Sequence, residues 1–225
     1  LLQLTKDFSS RFLSSMDKLA AGKKVKVNSR AAMPAAGLGG AAALEMFRQQ
    51  YGNSITAAAG PRYWGFVTGG VTPAALMGDW LTSAIDLNSA DEDSAAFYIE
   101  TETIALLKEL FGLPEVFLGC FVTGATMSNF TGLAAARQWL GIQHGVDIGA
   151  DGMAALQGLK VVSATPHSCI SKSMSMLGLG RNNLVRAPVL PGRECVDITA
   201  LKSYLEENGG QPFIYVANAG TVNTV

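Results

Sequence analysis

The chain has 225 residues, with 17 Lys and Arg against 18 Asp and Glu, giving a formal net charge of −1. That balance argues against a nucleic-acid binder, which neutralises phosphates with a basic excess. Hydrophobic residues make up 48% of the chain and charged residues 16%, which excludes the disordered regime and fills the core of one large or two small domains.

The most apolar early stretch, from Ala31 to Leu44, is interrupted by Pro34, Gly37, Gly39 and Gly40. It lacks the run of about 18 apolar residues that a membrane span requires, so no membrane association is expected. The N-terminus, which starts at Leu1, has no basic segment followed by an apolar core and a small-residue cleavage site, so no secretory signal is read there. Cys120, Cys169 and Cys195 are odd in number, widely spaced and free of any Cys-x-x-Cys pattern. Reduced thiols in a cytoplasmic protein, with neither a disulfide framework nor a metal site, fit this usage.

Taken in chain order, Leu4, Phe8, Phe12, Leu13 and Met16 recur at helical spacing, and Gly22, Lys23 and Lys24 close that helix. A second helix is predicted from Gly40 through Leu44, Met46 and Phe47 to Tyr51. This helical N-terminal segment either packs on the main body or contributes to a subunit interface. A Gly-punctuated aromatic loop follows at 60–70, then helices over Pro73 to Leu87 and Ala96 to Phe111. Beyond it, apolar runs alternate with helical patterns. The predicted strands are Val116 to Val122, Leu159 to Ala164, Leu184 to Leu190 and Phe213 to Ala217; the helices between them are Ala125 to Leu140, Ser168 to Leu177 and Ile198 to Glu206. Strands alternating with helices imply βαβ units and a mainly parallel sheet, hence an α/β class. The continuous apolar run of Phe213 to Ala217 suits a strand covered on both faces. The last residues, from Asn218 to Val225, follow a strand at the sheet end where functional residues are expected, and the chain reads as part of a larger protein.

The strongest local signal is Phe121-Val122-Thr123-Gly124-Ala125-Thr126-Met127-Ser128-Asn129. An apolar strand runs into Gly, small and hydroxyl residues, then a helix, which leaves first-turn N–H groups and the positive helix end to an anion. The two readings are a phosphate cup, with Thr126 and Ser128 adding hydroxyls, and an ordinary capped turn. It is neither a Walker loop nor a dinucleotide Gly-x-Gly-x-x-Gly motif. His167, in Thr165-Pro166-His167-Ser168, opens a helix directly after a predicted strand, where its imidazole meets a ligand or merely serves the helix start. His144 reads as a surface residue. Cys169 and Lys172 lie close by but show no nucleophile–base constellation. Tyr63, Trp64 and Phe66 either wall a substrate pocket or join the core. Glu100 and Glu102 are too close in sequence to face one another on a helix.

In this order and spacing the segments resemble the group II pyridoxal phosphate-dependent decarboxylases, the family of aromatic-amino-acid, glutamate and histidine decarboxylases. The resemblance runs from about Pro61 to Val225. It is carried by Gly60-Pro61-Arg62-Tyr63-Trp64-Gly65-Phe66, by Val122 to Asn129 with Ala134-Ala135-Ala136-Arg137, by His167-Ser168 and by Ala219-Gly220-Thr221. It implies the first half of an aspartate-aminotransferase-like (fold type I) large domain at 71–225, preceded by a helical segment and pocket loop at 1–70 that joins a dimer interface. It further implies pyridoxal 5′-phosphate as cofactor, an L-amino acid as substrate, release of CO2, and a homodimer. Ala125 and Thr126 match positions that hold the cofactor phosphate, and His167 matches the histidine that stacks on the pyridine ring and assists protonation. Phe66, Val67 and Thr68 match the pocket loop. Thr221 matches a cofactor contact, although Val222 stands where the family usually has a second Thr. The family's Schiff-base lysine and pyridine-pairing aspartate lie downstream of the Gly-Thr segment, so the resemblance places them on a second polypeptide or a missing C-terminal half. The alternatives are another lyase or an aminotransferase on the same fold, or a non-catalytic fragment.

Overall fold

The computed structural model describes residues 1–22, 33, 35–87 and 94–223. The chain forms two compact units, Leu1–Asn88 and Ser89–Val225. Lys23, Lys24 and Pro34 lie outside the described residues.

In the first unit, helix α1 (Leu2–Ser14) and helix α2 (Gly40–Tyr51) meet through an edge-on contact of Phe8 and Phe47, with ring centroids 6.2 Å apart. Helix α3 (Pro73–Ile85) starts where Thr72 accepts a hydrogen bond from the Ala75 N–H and Pro73 supplies the fixed φ of a first helical residue. It stops at Asp86, whose left-handed φ of 48° ends the ladder. A cavity of about 1020 Å³ in this unit is walled by Leu2, Leu13, Met16, Val71, Trp80 and Leu81, among others.

The second unit opens with helix α4 (Ala95–Phe111), capped by Ser94 and closed by Gly112 at φ 63°. Helix α5 (Ala125–Gln143) and the short helix α6 (Ile148–Asp151) precede strand β1 (Lys160–Ser163). Helix α7 (Ser168–Met176) leads to strand β2 (Leu184–Arg186), and helix α8 (Ile198–Glu207) to strand β3 (Phe213–Tyr215). The sheet order is β2-β1-β3 and both pairings are parallel. Parallel neighbours require crossover connections, which α7 and α8 supply.

Because successive strand residues point to opposite faces, β1 divides the core in two. Val161 faces Leu133, Cys169, Ile170, Met174 and Leu177 of α5, α7 and their flanks, whereas Val162 joins Ala187 and Leu201 on the side of α8. Val161, Val162 and Ser163 are fully buried, so β1 is covered on both faces. The buried Ser163 hydroxyl is satisfied by the Val216 carbonyl at 2.7 Å.

Two expectations change. The run Val116 to Val122 forms no ladder among the described residues, and Leu118 is 95% exposed. An apolar run becomes a strand only when another strand takes its backbone groups. Strands β2 and β3 are both shorter than predicted, β2 ending at Arg186 instead of Leu190, and β3 lies at the edge of this sheet, with Ile214 buried but Phe213 and Tyr215 partly exposed. Its apolar run is therefore not covered on both faces. Among the described residues no helix is long and apolar enough to cross a membrane.

Met174 is fully buried between α7 and the sheet. Met174→Ala is expected to lower the unfolding free energy by about 2–5 kcal/mol, read from a urea titration. The Asp147 carboxylate accepts hydrogen bonds from Gln138 at 3.1 Å and from the N–H groups of Gly149 and Ala150. These bonds, that from Gln138 foremost, hold its pKa below the ordinary 3.8. A depressed carboxylate contributes stability that is complete above its unfolded value and is lost as pH falls through the folded one. The denaturation midpoint should therefore fall on acidification below about 4, and Asp147→Asn should flatten part of that dependence.

Candidate active site

The site grows from the two helices that cover one face of β1. Helix α5 has no side-chain cap: its N-cap is Gly124 at φ 86°, a left-handed conformation that side chains resist. By helix geometry the first N–H groups, those of Ala125 and Thr126, have no partner within the helix. Both residues are exposed, and a Cβ placed on Gly124 would meet no atom within 4 Å. The result is an open, positively polarised helix end with no carboxylate on it.

Helix α7 starts differently. After β1 the chain leaves through Ala164, Thr165 and Pro166 to His167, which is the N-cap and accepts the Cys169 N–H at Nδ1, 3.2 Å away. The imidazole is exposed, whereas Cys169 is 3% exposed and its Sγ sits 2.9 Å from the same Nδ1.

Two ties align these helices. Asn129 of α5 donates to Cys169 Sγ at 3.1 Å, and Arg137 of α5 donates to the Leu177 carbonyl at 2.8 Å. Each end of the second tie is eight residues beyond the first, so the helices run side by side in the same direction. Their N-termini consequently lie at one end. Asn129 also donates to the Ala125 carbonyl at 3.2 Å, which joins Ala125, Asn129, Cys169 and His167 in one continuous network.

Thr221 occupies a second feature at the carboxyl ends of the strands. Its hydroxyl donates to the Glu194 carboxylate and accepts from the Asn223 N–H at 3.3 Å. Both Thr221 and Glu194 line a cavity of about 450 Å³ that also takes in Thr165, Arg193, Tyr215 and Asn218. His167, Ala125 and Thr126 are not among its lining residues. Phe66, Val67 and Thr68 belong to the first unit. Phe66 (φ 56°) and Val67 (φ 54°) are both left-handed and 92% and 82% exposed, and Thr68 donates to the Gly65 carbonyl at 3.3 Å. Trp64 is 91% exposed, so neither it nor Phe66 is a core aromatic of this unit.

Sequence reasoning found the ends of both helices but missed Asn129 and Glu194 as partners. It noted Cys169 only as an unsupported nucleophile, whereas the structure gives this thiol two polar neighbours. The only signal for Asn129 was its place one turn after Ala125. Glu194 gave none, since its partner is 27 residues away. His144 is exposed at the end of α5, and Glu100 accepts the Phe121 N–H at 2.7 Å instead of pairing with Glu102.

Residues 34–225 match the pyridoxal-dependent decarboxylase conserved domain. Among curated proteins, the aromatic-L-amino-acid decarboxylase of Bacillus atrophaeus is 27% identical over 176 residues, 76% of this chain and 34% of that protein. The L-2,4-diaminobutyrate decarboxylase of Acinetobacter baumannii is 29% identical over 150 residues, 61% of this chain and 29% of that protein. Among solved structures, Oryza sativa TDC with PLP and tryptamine superposes with a TM-score of 0.81 at 22% identity, covering 96% of this chain and 49% of that one. The glutamate decarboxylase domain of a Vibrio parahaemolyticus diaminobutyrate-pyruvate transaminase and L-2,4-diaminobutyrate decarboxylase gives 0.81 at 20% identity, covering 98% and 51%. The chain thus spans about a third of the curated relatives it matches and about half of the solved chains, and it has their fold over that part. With the domain match extending over most of its length, the chain belongs to the pyridoxal-dependent decarboxylase family.

Proposed function

We propose that this chain is the N-terminal part of a pyridoxal 5′-phosphate-dependent carboxy-lyase that converts an L-amino acid to its amine and CO2. The observation that carries the reading is the pairing of two helix starts at one end of the sheet: one open to an anion, the other presenting an imidazole.

The residues fit the cofactor. A phosphate dianion suits the open end of α5, where the N–H groups of Ala125 and Thr126 are unspent within the helix and the Thr126 and Ser128 hydroxyls add donors. Glycine at the N-cap keeps a side chain and a competing carboxylate out of that space. When bound, pyridoxal 5′-phosphate supplies the electron sink for loss of the α-carboxylate. His167 offers the face of its ring for stacking on a pyridine, because its Nδ1 edge is engaged by its own helix while the rest of the ring is exposed. The exposed edge of its imidazole is also placed to exchange a proton with a bound ligand. Thr221, held by Glu194, is the proposed contact from the carboxyl end of β3. Phe66, Val67 and Thr68 would exclude water from the substrate, and residues 1–70 would take part in a homodimer interface. The Schiff-base lysine and the aspartate for the pyridine nitrogen belong, on this reading, to a continuing segment or a second polypeptide.

Borohydride reduction of the intact protein, followed by denaturing mass spectrometry of every polypeptide, tests this reading. A phosphopyridoxyl adduct on a lysine outside residues 1–225 is expected; absence of any adduct in protein that releases CO2 from no amino acid would overturn it. The role of His167 is separable from its capping role. Asparagine is itself a favoured N-cap, so His167→Asn should leave the thermal midpoint within experimental scatter while lowering kcat by about 10²–10⁴-fold. Unchanged turnover would remove His167 from the reaction.

A further inference from the structure

We propose that Cys169 and Asn129 are positioning residues that lock the ring of His167 with its proton on Nε2. This rests on the reading of His167 as the ring that meets the cofactor, although the geometry is that of the protein alone.

The direction of every proton in the network follows from two groups that have no choice of role. At one end, the Ala125 carbonyl can only accept, so the Asn129 atom 3.2 Å from it is the NH2 nitrogen. That nitrogen has a second hydrogen, and Cys169 Sγ lies 3.1 Å away to take it. At the other end, the Cys169 backbone N–H can only donate, so the His167 Nδ1 at 3.2 Å must present its lone pair. With Asn129 donating to the sulfur and Nδ1 accepting, the S–H points to Nδ1 across 2.9 Å. A neutral imidazole whose Nδ1 is a lone pair carries its proton on Nε2.

Burial gives the thiol its influence. Cys169 is 3% exposed and packed with Leu133, Ile170 and Met174, so water does not compete for either of its hydrogen bonds. Rotating the ring by 180° about Cβ–Cγ would put a carbon where Nδ1 stands and strand both the N–H and the S–H. The ring plane and the tautomer are thereby fixed together, and the outer edge of His167 is an N–H donor. The backbone N–H alone would leave this preference weaker. The same network fastens the imidazole to the Ala125 turn, so the stacking ring and the phosphate cup share one support.

The test is two-bond ¹H–¹⁵N correlation spectroscopy of the intact protein labelled with ¹⁵N-histidine, the His167 signals being those lost in His167→Gln. In its neutral form the wild-type ring should show the Nε2–H pattern, with two well-separated nitrogen shifts. Cys169→Ala should bring these shifts toward each other as the second tautomer becomes populated. Cys169→Ser should restore the separation, because a hydroxyl both donates to Nδ1 and accepts from Asn129. Asn129→Ala, which leaves the buried packing intact, should produce the same averaging to a smaller extent. An Nδ1–H pattern in the wild type overturns the proposal without needing any variant. An unchanged pattern in Cys169→Ala, or in Asn129→Ala where the first variant does not fold, overturns it too. The functional reading fails separately: absence of a phosphopyridoxyl adduct would count against the cofactor while leaving the tautomer result standing.

Discussion

Strand β1 is paired in parallel on both sides, and the site depends on that constraint. A parallel neighbour cannot be reached by a tight turn, so each pairing demands a crossover long enough to hold a helix. The crossovers here carry α7 and α8, and the packing that buries Val161 on one side and Val162 on the other places a helix layer on each face. Parallel strands also end at the same edge. The turns after β1, β2 and β3 therefore emerge together, which is why His167, the 192–196 loop and the Asn218–Thr221 segment are all found at the carboxyl end of the sheet. Loss of apolar packing around β1 would therefore move these exits, although the buried residues lie beneath them.

Local signals in the sequence were sufficient where the physics is local. Helices α3, α4 and α8 begin at or within a residue of where the helical patterns put them, and the structure shows why: Thr72, Ser94 and Asp197 accept first-turn N–H groups there. Gly124 and the hydroxyl-rich turn were legible for the same reason. Strand formation is not local. The run at 116–122 has the composition of a strand, yet its backbone groups find no ladder among the described residues, while β1, of similar texture, finds two. The exposure of Phe213 and Tyr215 is likewise a consequence of where β3 falls in the sheet order, which composition does not encode. The partners of the site were illegible because they are long-range: 40 residues separate Asn129 from Cys169, and 27 separate Glu194 from Thr221. Nothing in one sequence brings such residues together before the helices are packed.

The helix caps of the second unit are of two kinds. Helices α4, α6 and α8 start on Ser94, Asp147 and Asp197, each of which spends a side-chain oxygen on first-turn N–H groups. Helix α5, the longest of the unit, instead starts on Gly124, whose φ of 86° disfavours a capping Ser or Asp and leaves the helix with no side-chain cap. The first-turn N–H groups that no side chain takes there are the ones an anion would accept with a full negative charge. Helix α7 is capped by a ring nitrogen of His167, an acceptor that is not a carboxylate, at the end that the Asn129 tie brings beside α5. An aspartate there would satisfy the same N–H and would also set a carboxylate beside the open start of α5, where it would repel the anion proposed for that helix end. A histidine caps the helix without that repulsion and leaves a flat ring outside. On the proposed reading, helix stability, anion binding and ring stacking therefore place compatible demands on Gly124 and His167, and a carboxylate cap at either position would satisfy only the first.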